Sequence, residues 1–142
     1  MSDFRLKLIT LGLAVLAGCS GGSGGEHTGQ SCQVAADCYP GVNQSSLGQV
    51  TCLANVAGGY CTHTCQTDSD CCAVAGECRT GLPQLCAPFE STGANYCFLS
   101  CEATVFDAGI ADTTAYCQQY ASSSFTCRST GGGSANRKVC MP

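Results

Sequence analysis

The chain has 142 residues, among them 15 cysteines, six basic and ten acidic side chains, and a formal net charge of −4. This length has room for one domain or for a few very small domains in series. The few Lys and Arg residues give no footprint for a phosphate backbone, which argues against nucleic-acid binding.

The N-terminus predicts export. Arg5 and Lys7 precede a short apolar run from Leu8 to Gly18, an arrangement typical of a secretory signal peptide. A membrane-spanning helix would need about 20 apolar residues, and this run is too short. The run ends in Leu16-Ala17-Gly18-Cys19, which resembles the lipobox of bacterial lipoprotein precursors. The resemblance implies that a signal peptide, residues 1–18, is removed and that Cys19 then carries a diacylglycerol with palmitate-type chains.

The alternative is an ordinary signal peptide cut near the same place, with Cys19 free or paired. Cysteine parity favours the lipid, because the 14 cysteines that remain once Cys19 is set aside are an even number and can all form pairs. By resemblance to lipoproteins of Gram-negative bacteria, Ser20 is compatible with transfer to the outer membrane. Residues 19–30 begin with a Gly/Ser-rich stretch, which predicts a flexible tether between the lipid and a domain over 31–142.

The region after Cys19 reads as a disulfide scaffold. Of its 123 residues, 14 are cysteine and only 17 are Leu, Ile, Val or Phe. Such a chain buries too little apolar surface to offset the entropy of ordering its backbone, whereas each disulfide contributes about 2–4 kcal/mol. We therefore expect a small disulfide-rich fold with little regular secondary structure, formed by short β-hairpins and helical turns, without a cofactor.

Cysteine-centred motifs repeat about three times, in tandem units over about 31–61 (unit one), 64–97 (unit two) and 100–142 (unit three). Each unit opens with Ser or Thr, Cys, and Gln or Glu. The four cysteines of each unit are Cys32, Cys38, Cys52 and Cys61; Cys65, Cys71, Cys78 and Cys97; and Cys101, Cys117, Cys127 and Cys140. We predict first-to-third and second-to-fourth pairing in each unit, with Cys72–Cys86 as an extra bridge. Spacing alone leaves the connectivity open, and Cys86-Ala87-Pro88 also resembles the closing Cys140-Met141-Pro142.

Secondary structure is expected to be sparse. Asp112 can cap a helix over about 113–121, and short strands are predicted near 49–53, 58–62, 94–99 and 124–128. The hydroxyl residue before each opening cysteine is predicted to cap a helical turn.

The cysteine spacing of unit two resembles that of knottin-type and Dickkopf or EGF-like modules. The pattern runs Cys61-x3-Cys65-x5-Cys71-Cys72-x5-Cys78-x7-Cys86 and includes Asp68-Ser69-Asp70. The resemblance implies a binding or structural module and no particular ligand.

Catalytic and metal sites are not predicted. A zinc site would need thiolates, which are not expected after export, and a Cys–His nucleophile would need a free cysteine beside His63. We expect His27 to lie in the tether and His63 in an exposed loop. Asp68 and Asp70 leave a weak calcium site as an open alternative.

The leading hypothesis is a non-enzymatic, lipid-anchored envelope protein that binds a protein or glycan partner or supports envelope structure. A second hypothesis is a knottin-like inhibitor or toxin-like effector, with loop 79–85 or 87–95 as its bait. A third is redox or metal handling by free thiols.

Overall fold

The structure is a computed structural model that describes residues 26–90, 92–102, 112–131 and 133–142. The predicted signal peptide, Cys19 and residues 20–25 lie outside the described residues.

Three antiparallel two-stranded hairpins follow one another along the chain. They pair β1 (Val50–Cys52) with β2 (Cys61–His63), β3 (Gln84–Pro88) with β4 (Asn95–Leu99), and β5 (Thr126–Ser129) with β6 (Lys138–Met141). The helix α1 covers Thr113–Tyr120, and short 3-10 turns form at Ala35–Asp37, Gln44–Ser46, Asp68–Asp70 and Gly133–Ala135. The predicted fold class, a small disulfide-rich protein with little regular structure, is confirmed.

Helix α1 begins where its cap was predicted. The Asp112 carboxylate accepts hydrogen bonds from the backbone N–H groups of Thr114 (2.9 Å) and Ala115 (3.0 Å), so two otherwise unpaired donors of the first turn are satisfied. Tyr116 and Tyr120, four residues apart, place their rings 5.2 Å from each other.

Seven disulfides join the fourteen described cysteines. The predicted pairing is correct in units one and three, with Cys32–Cys52, Cys38–Cys61, Cys101–Cys127 and Cys117–Cys140, and for Cys71–Cys97. The predicted Cys65–Cys78 and Cys72–Cys86 pairs are wrong, because Cys65 pairs with Cys86 and Cys72 with Cys78.

Hairpin register explains the correction. The third and fourth cysteines of a unit face each other across its hairpin, as Cys52 faces Cys61 and Cys127 faces Cys140. In unit two the residue that faces Cys97 is Cys86. Cys86 is therefore the third cysteine of the repeat, and Cys72–Cys78 is the additional bridge.

The units meet through equivalent backbone joints. Thr64, three residues after Cys61, forms a β-bridge with Tyr96, the residue before Cys97; Ser100, three residues after Cys97, forms the same bridge with Val139. The hydroxyl residues before the opening cysteines of units two and three thus mark joints between units. The predicted cap is not made by Thr64, whose hydroxyl accepts the Gln49 N–H, whereas the Ser100 hydroxyl accepts the Glu102 N–H at 3.3 Å. Aspartates close the turns of units one and two, since Asp70 Oδ2 accepts the N–H groups of Gln66 and Thr67 and Asp37 does the same in unit one.

The apolar core is small and aromatic. The Tyr60 ring lies 5.4 Å from that of Phe98 and 5.8 Å from that of Phe125, so side chains from unit one, strand β4 and unit three meet in a single cluster. A second cluster in unit one surrounds Tyr39 with three half-cystines. Aromatic rings and half-cystines therefore form much of the core of a chain that has few aliphatic residues.

The predicted tether ends earlier than residue 30. Glu26, His27 and Thr28 are all buried, and the backbone pairs with β2 through Gly29 N–H to Cys61 O and Cys61 N–H to Gln30 O, both 2.9 Å. Thr28 precedes Cys32 by four positions, as Cys61 precedes Cys65. Residues 26–30 therefore belong to the folded domain, where they lie against unit one as the end of a preceding unit would.

Candidate binding groove

A groove of about 850 Å³ lies where units one and two meet, and we call it the junction groove. Three short segments and two residues of the 68–73 region form its walls. They are Ser46–Gly48, Thr64–Gln66, Asp70, Ala73 and Gly93–Asn95.

Close backbone contacts fix the walls of the junction groove. Thr64 donates its N–H to Gln49 O (3.1 Å) and accepts the Gln49 N–H on its hydroxyl (2.9 Å). A Cβ on Gly48 would lie 1.9 Å from the Thr64 carbonyl oxygen, so only glycine allows this approach. On the other wall, the Cys65 N–H donates to Asn95 O (3.1 Å). The groove is thus set by the joint between the two units.

The lining of the junction groove is suited to hydrogen bonding. Hydroxyl, amide and backbone groups dominate it, and its charged side chain is Asp70. The backbone N–H groups of Thr67 and Gln66 hold the pKa of the Asp70 carboxyl below its ordinary value. Cys65 is committed to a disulfide, so it offers no free thiolate to the groove. The arrangement can bind a polar ligand through hydrogen bonds.

The equivalent joint between units two and three is closed by ion pairs. The Arg137 guanidinium binds Glu102 (2.6 Å) and Asp68 (3.2 Å), which keeps the pKa of Arg137 above its ordinary value. Glu102 follows Cys101 and Arg137 precedes Cys140 by three positions. The same positions at the first joint hold Gln66 and Ala94, both of which line the junction groove. At the first joint, Ala94 stands where the second joint has the bridging Arg137, and the groove there is open.

The two aspartates that left a calcium site as an open alternative have other partners in the structure. Asp68 accepts hydrogen bonds from Arg137 and from the Cys86 N–H (2.8 Å), and Asp70 holds the amides of its own turn. Burial would raise the pKa of the Asp68 carboxyl, but these donors outweigh it and lower the pKa. Both residues are accounted for by structural roles.

His63 is not the exposed loop residue that we expected, because it lies on β2 and is 1 % exposed. Its Nε2 lies 2.7 Å from Glu77 Oε1 and its Nδ1 lies 2.9 Å from the Thr64 carbonyl oxygen. Both ring nitrogens face acceptors, which a protonated imidazole satisfies. Burial lowers the pKa of His63, but these acceptors outweigh it and raise the pKa above its ordinary value.

Glu77 joins this buried pair to the small loop of the additional disulfide. Its carboxylate also accepts the N–H groups of Cys72 (2.8 Å) and Val74 (3.0 Å). Burial raises its pKa, but His63 and the two amides outweigh burial and lower it. Sequence reasoning missed Glu77, since no local pattern links it to His63, fourteen positions away.

The buried pair holds a structural position beside the Cys71–Cys97 bridge. His63, Glu77 and Cys97 offer ligand atoms within 4.8 Å of one another, but the Cys97 sulfur is bonded to Cys71 and all three residues are buried. His27, which also packs inside against the Tyr39 ring at 5.7 Å, is not a tether residue as expected. Burial and the nearby Arg79 charge lower the pKa of His27.

The two predicted bait loops are shorter than expected. Strand β3 begins at Gln84, and Leu85 and Phe89 are buried. The exposed parts are therefore about 79–83 and the turn between β3 and β4, in which Glu90 adopts a φ of 49°.

No family model, curated protein or solved structure matches the chain. Within the described part of the chain, no helix is both long and apolar enough to cross a bilayer.

Proposed function

We propose that this chain is a non-enzymatic, lipid-anchored protein of the bacterial envelope that binds a protein or glycan through the junction groove. The seven disulfides indicate an exported or extracellular protein. The lipobox-like sequence before Cys19 supports lipid attachment, and Ser20 supports transfer to the outer membrane.

The observation that carries the binding role is the open joint between units one and two. A repeat that closes one joint with a carboxylate–guanidinium bridge leaves the other as a groove lined by hydrogen-bonding groups. Disulfides fix the side of the groove that unit two forms, since Cys65 lies in the groove and Cys71 neighbours it. A preformed site of this kind loses little conformational entropy when a ligand binds.

The alternative roles have less support. An inhibitor needs a projecting loop, and most of 84–89 is buried in the second hairpin. Redox or metal handling needs free thiols, and the described cysteines are all in disulfides.

Lipid attachment is tested by Cys19→Ser. We expect the variant to lose metabolic labelling with a palmitate analogue and to move from the membrane fraction to the soluble exported fraction, because only the cysteine thiol can form the thioether. Unchanged labelling and fractionation would show that Cys19 is not the anchor.

The groove is tested by transplanting the closed joint into it. The double variant Gln66→Glu, Ala94→Arg places the carboxylate and guanidinium of the second joint at the first, so we expect it to fill the groove and weaken ligand binding at least tenfold. Ala75→Arg is the matched control, because Ala75 is exposed in the loop closed by Cys72–Cys78 and does not line the groove.

The Cys19→Ser background supplies oxidised protein for screening on glycan arrays and displayed peptide libraries. Ligands that bind the control and the double variant equally well would place the binding site outside the junction groove. A screen that yields no ligand for the unmodified groove would count against a binding role.

A further inference from the structure

We propose that a second cleft, beside the point where the chain enters the domain, is the face that the protein turns toward the bilayer. This membrane-proximal face is formed by Glu26, Gly29–Ser31, Ala57–Gly59 and the segment from Ala121 to Phe125, around a cavity of about 470 Å³. The inference rests on lipid attachment at Cys19, which is part of the proposed function.

The first argument is the reach of the chain. Seven residue steps separate Cys19 from Glu26, and a fully extended chain covers at most about 25 Å over that distance. A domain the size of 26–142 has a radius of gyration of about 13 Å, which corresponds to a globule about 35 Å across. The covalent link is therefore shorter than the domain, so the side that carries Glu26 is held toward the lipid rather than away from it.

The second argument is that Glu26 is a fixed point on the domain. Its carboxylate accepts hydrogen bonds from the Arg79 N–H (3.0 Å) and from both the N–H and the hydroxyl of Thr80. Gln84 Nε2 adds a contact of 3.3 Å, and Gly29 pairs with β2. Glu26 is already held by these contacts, so no slack beyond that residue allows the domain to turn over.

The third argument is the chemistry of the face. Glu26 is the charged residue in its lining, and only 2 % of it is exposed. The other lining groups are small, polar or glycine residues and one buried phenylalanine. An acidic domain that approached anionic headgroups through exposed carboxylates would be repelled; this face presents none. It also lacks lysine and arginine, so its position depends on the tether rather than on attraction to lipid.

The membrane-proximal face and the junction groove are formed by different residues. The two sets of lining residues have no member in common. A ligand in the groove and a bilayer at the membrane-proximal face would therefore contact different segments of the chain.

Paramagnetic relaxation in nanodiscs tests the orientation. The full-length, lipidated, oxidised protein is placed in nanodiscs that carry a small fraction of a gadolinium-chelate headgroup lipid, after mass spectrometry has confirmed the lipid on Cys19. We expect the relaxation enhancement of the Gly58 and Ser122 amides to exceed that of Gly48 and Gly93 by about threefold or more. Equal or reversed enhancements in a protein with lipidated Cys19 would overturn the inference; absence of the lipid would instead refute the proposed anchor.

A long-linker variant is the matched control. Twenty Gly/Ser residues inserted before Glu26 raise the maximal reach to about 90 Å, so the difference between the two pairs of amides should disappear. A difference that persists unchanged would show that the tether does not set the orientation. The lipid-free Cys19→Ser protein should not bind vesicles of the same composition, and binding would contradict the dependence on the tether.

Discussion

Replacing Glu77 removes the acceptor that one buried side chain and two backbone N–H groups share. The carboxylate is fully buried and binds His63 Nε2 and the N–H groups of Cys72 and Val74 at 2.7–3.0 Å. Breaking a buried charged pair by removing one partner costs about 3–5 kcal/mol. We therefore expect Glu77→Ala to lower the free energy of unfolding by about 3–5 kcal/mol. Glu77→Gln keeps one acceptor oxygen and should cost about 2 kcal/mol.

The effect of Glu77→Gln should depend on pH. The pKa of His63 is raised above its ordinary 6.5, so its stabilising contribution is complete below pH 6.5 and is lost as the pH rises through the raised value. The pKa of Glu77 is lowered from its ordinary 4.5, so its contribution is complete above pH 4.5 and is lost as the pH falls through the lowered value. The difference between the native protein and the variant should be largest between pH 4.5 and 6.5.

Urea unfolding with the disulfides intact, followed by tyrosine fluorescence from pH 4 to pH 9, measures this difference. Subtracting the variant from the native protein removes the opposite contribution of His27, whose lowered pKa makes its effect grow unfavourable on acidification, apart from the smaller effect of the Glu77 charge on that pKa. Glu90→Gln, at an exposed carboxylate, is the control and should change stability by less than about 0.5 kcal/mol. A difference that is independent of pH, or largest above pH 8, would refute a charged His63–Glu77 pair.

Two further predictions concern the backbone and the additional disulfide. Gly58 and Gly59 have nearly the same positive φ, 82° and 73°, but a Cβ would meet nothing within 4 Å at Gly58 and would lie 2.0 Å from the Cys32 carbonyl oxygen at Gly59. Thermal unfolding should show a loss of about 1–2 kcal/mol for Gly58→Ala and about 1–3 kcal/mol more for Gly59→Ala; equal losses would exclude the contact as a cause. Replacing Cys72 and Cys78 with alanine opens a loop with a sequence separation of 6, against 20–26 for the other bridges. The loss in urea unfolding should be about 2.4 kcal/mol, about 1 kcal/mol less than for a long bridge, and a larger loss would mean that the loop holds Glu77 in place.

The disulfide class, the capped helix and four of the six strands in the described part of the chain could be predicted from the sequence, because cysteine density, a cap residue and β-formers are local signals. Strand β3 was missed, since Gln84–Pro88 ends in proline and shows no alternation that would mark a strand. The error in disulfide pairing followed from missing this strand, because Cys86 lies on it. Taking Cys86 as the third cysteine makes the first-to-third separations 20, 21 and 26, a regularity that the sequence did contain.

The buried polar residues could not be predicted. His27 and His63 were assigned to exposed segments because histidine and its polar neighbours are usually found at the surface. Their burial depends on partners far along the chain, such as Glu77 for His63 and the Tyr39 ring for His27. Composition cannot predict such pairs, since the partners come together only when the disulfide-linked units are folded.

In this repeat, the residues that hold the fold differ from the residues at the joints, which can vary with function. The bridges of the repeat and the hairpin register recur in each unit, so they constrain the backbone in the same way three times. The side chains at the joints are free of this backbone constraint. Backbone hydrogen bonds hold each joint together, so the joint does not depend on which side chains stand there. One joint therefore carries Glu102 and Arg137 as a closed ion pair, while the equivalent Gln66 and Ala94 leave a groove. Exchanging these two pairs of residues should convert one kind of joint into the other without changing the disulfide pattern.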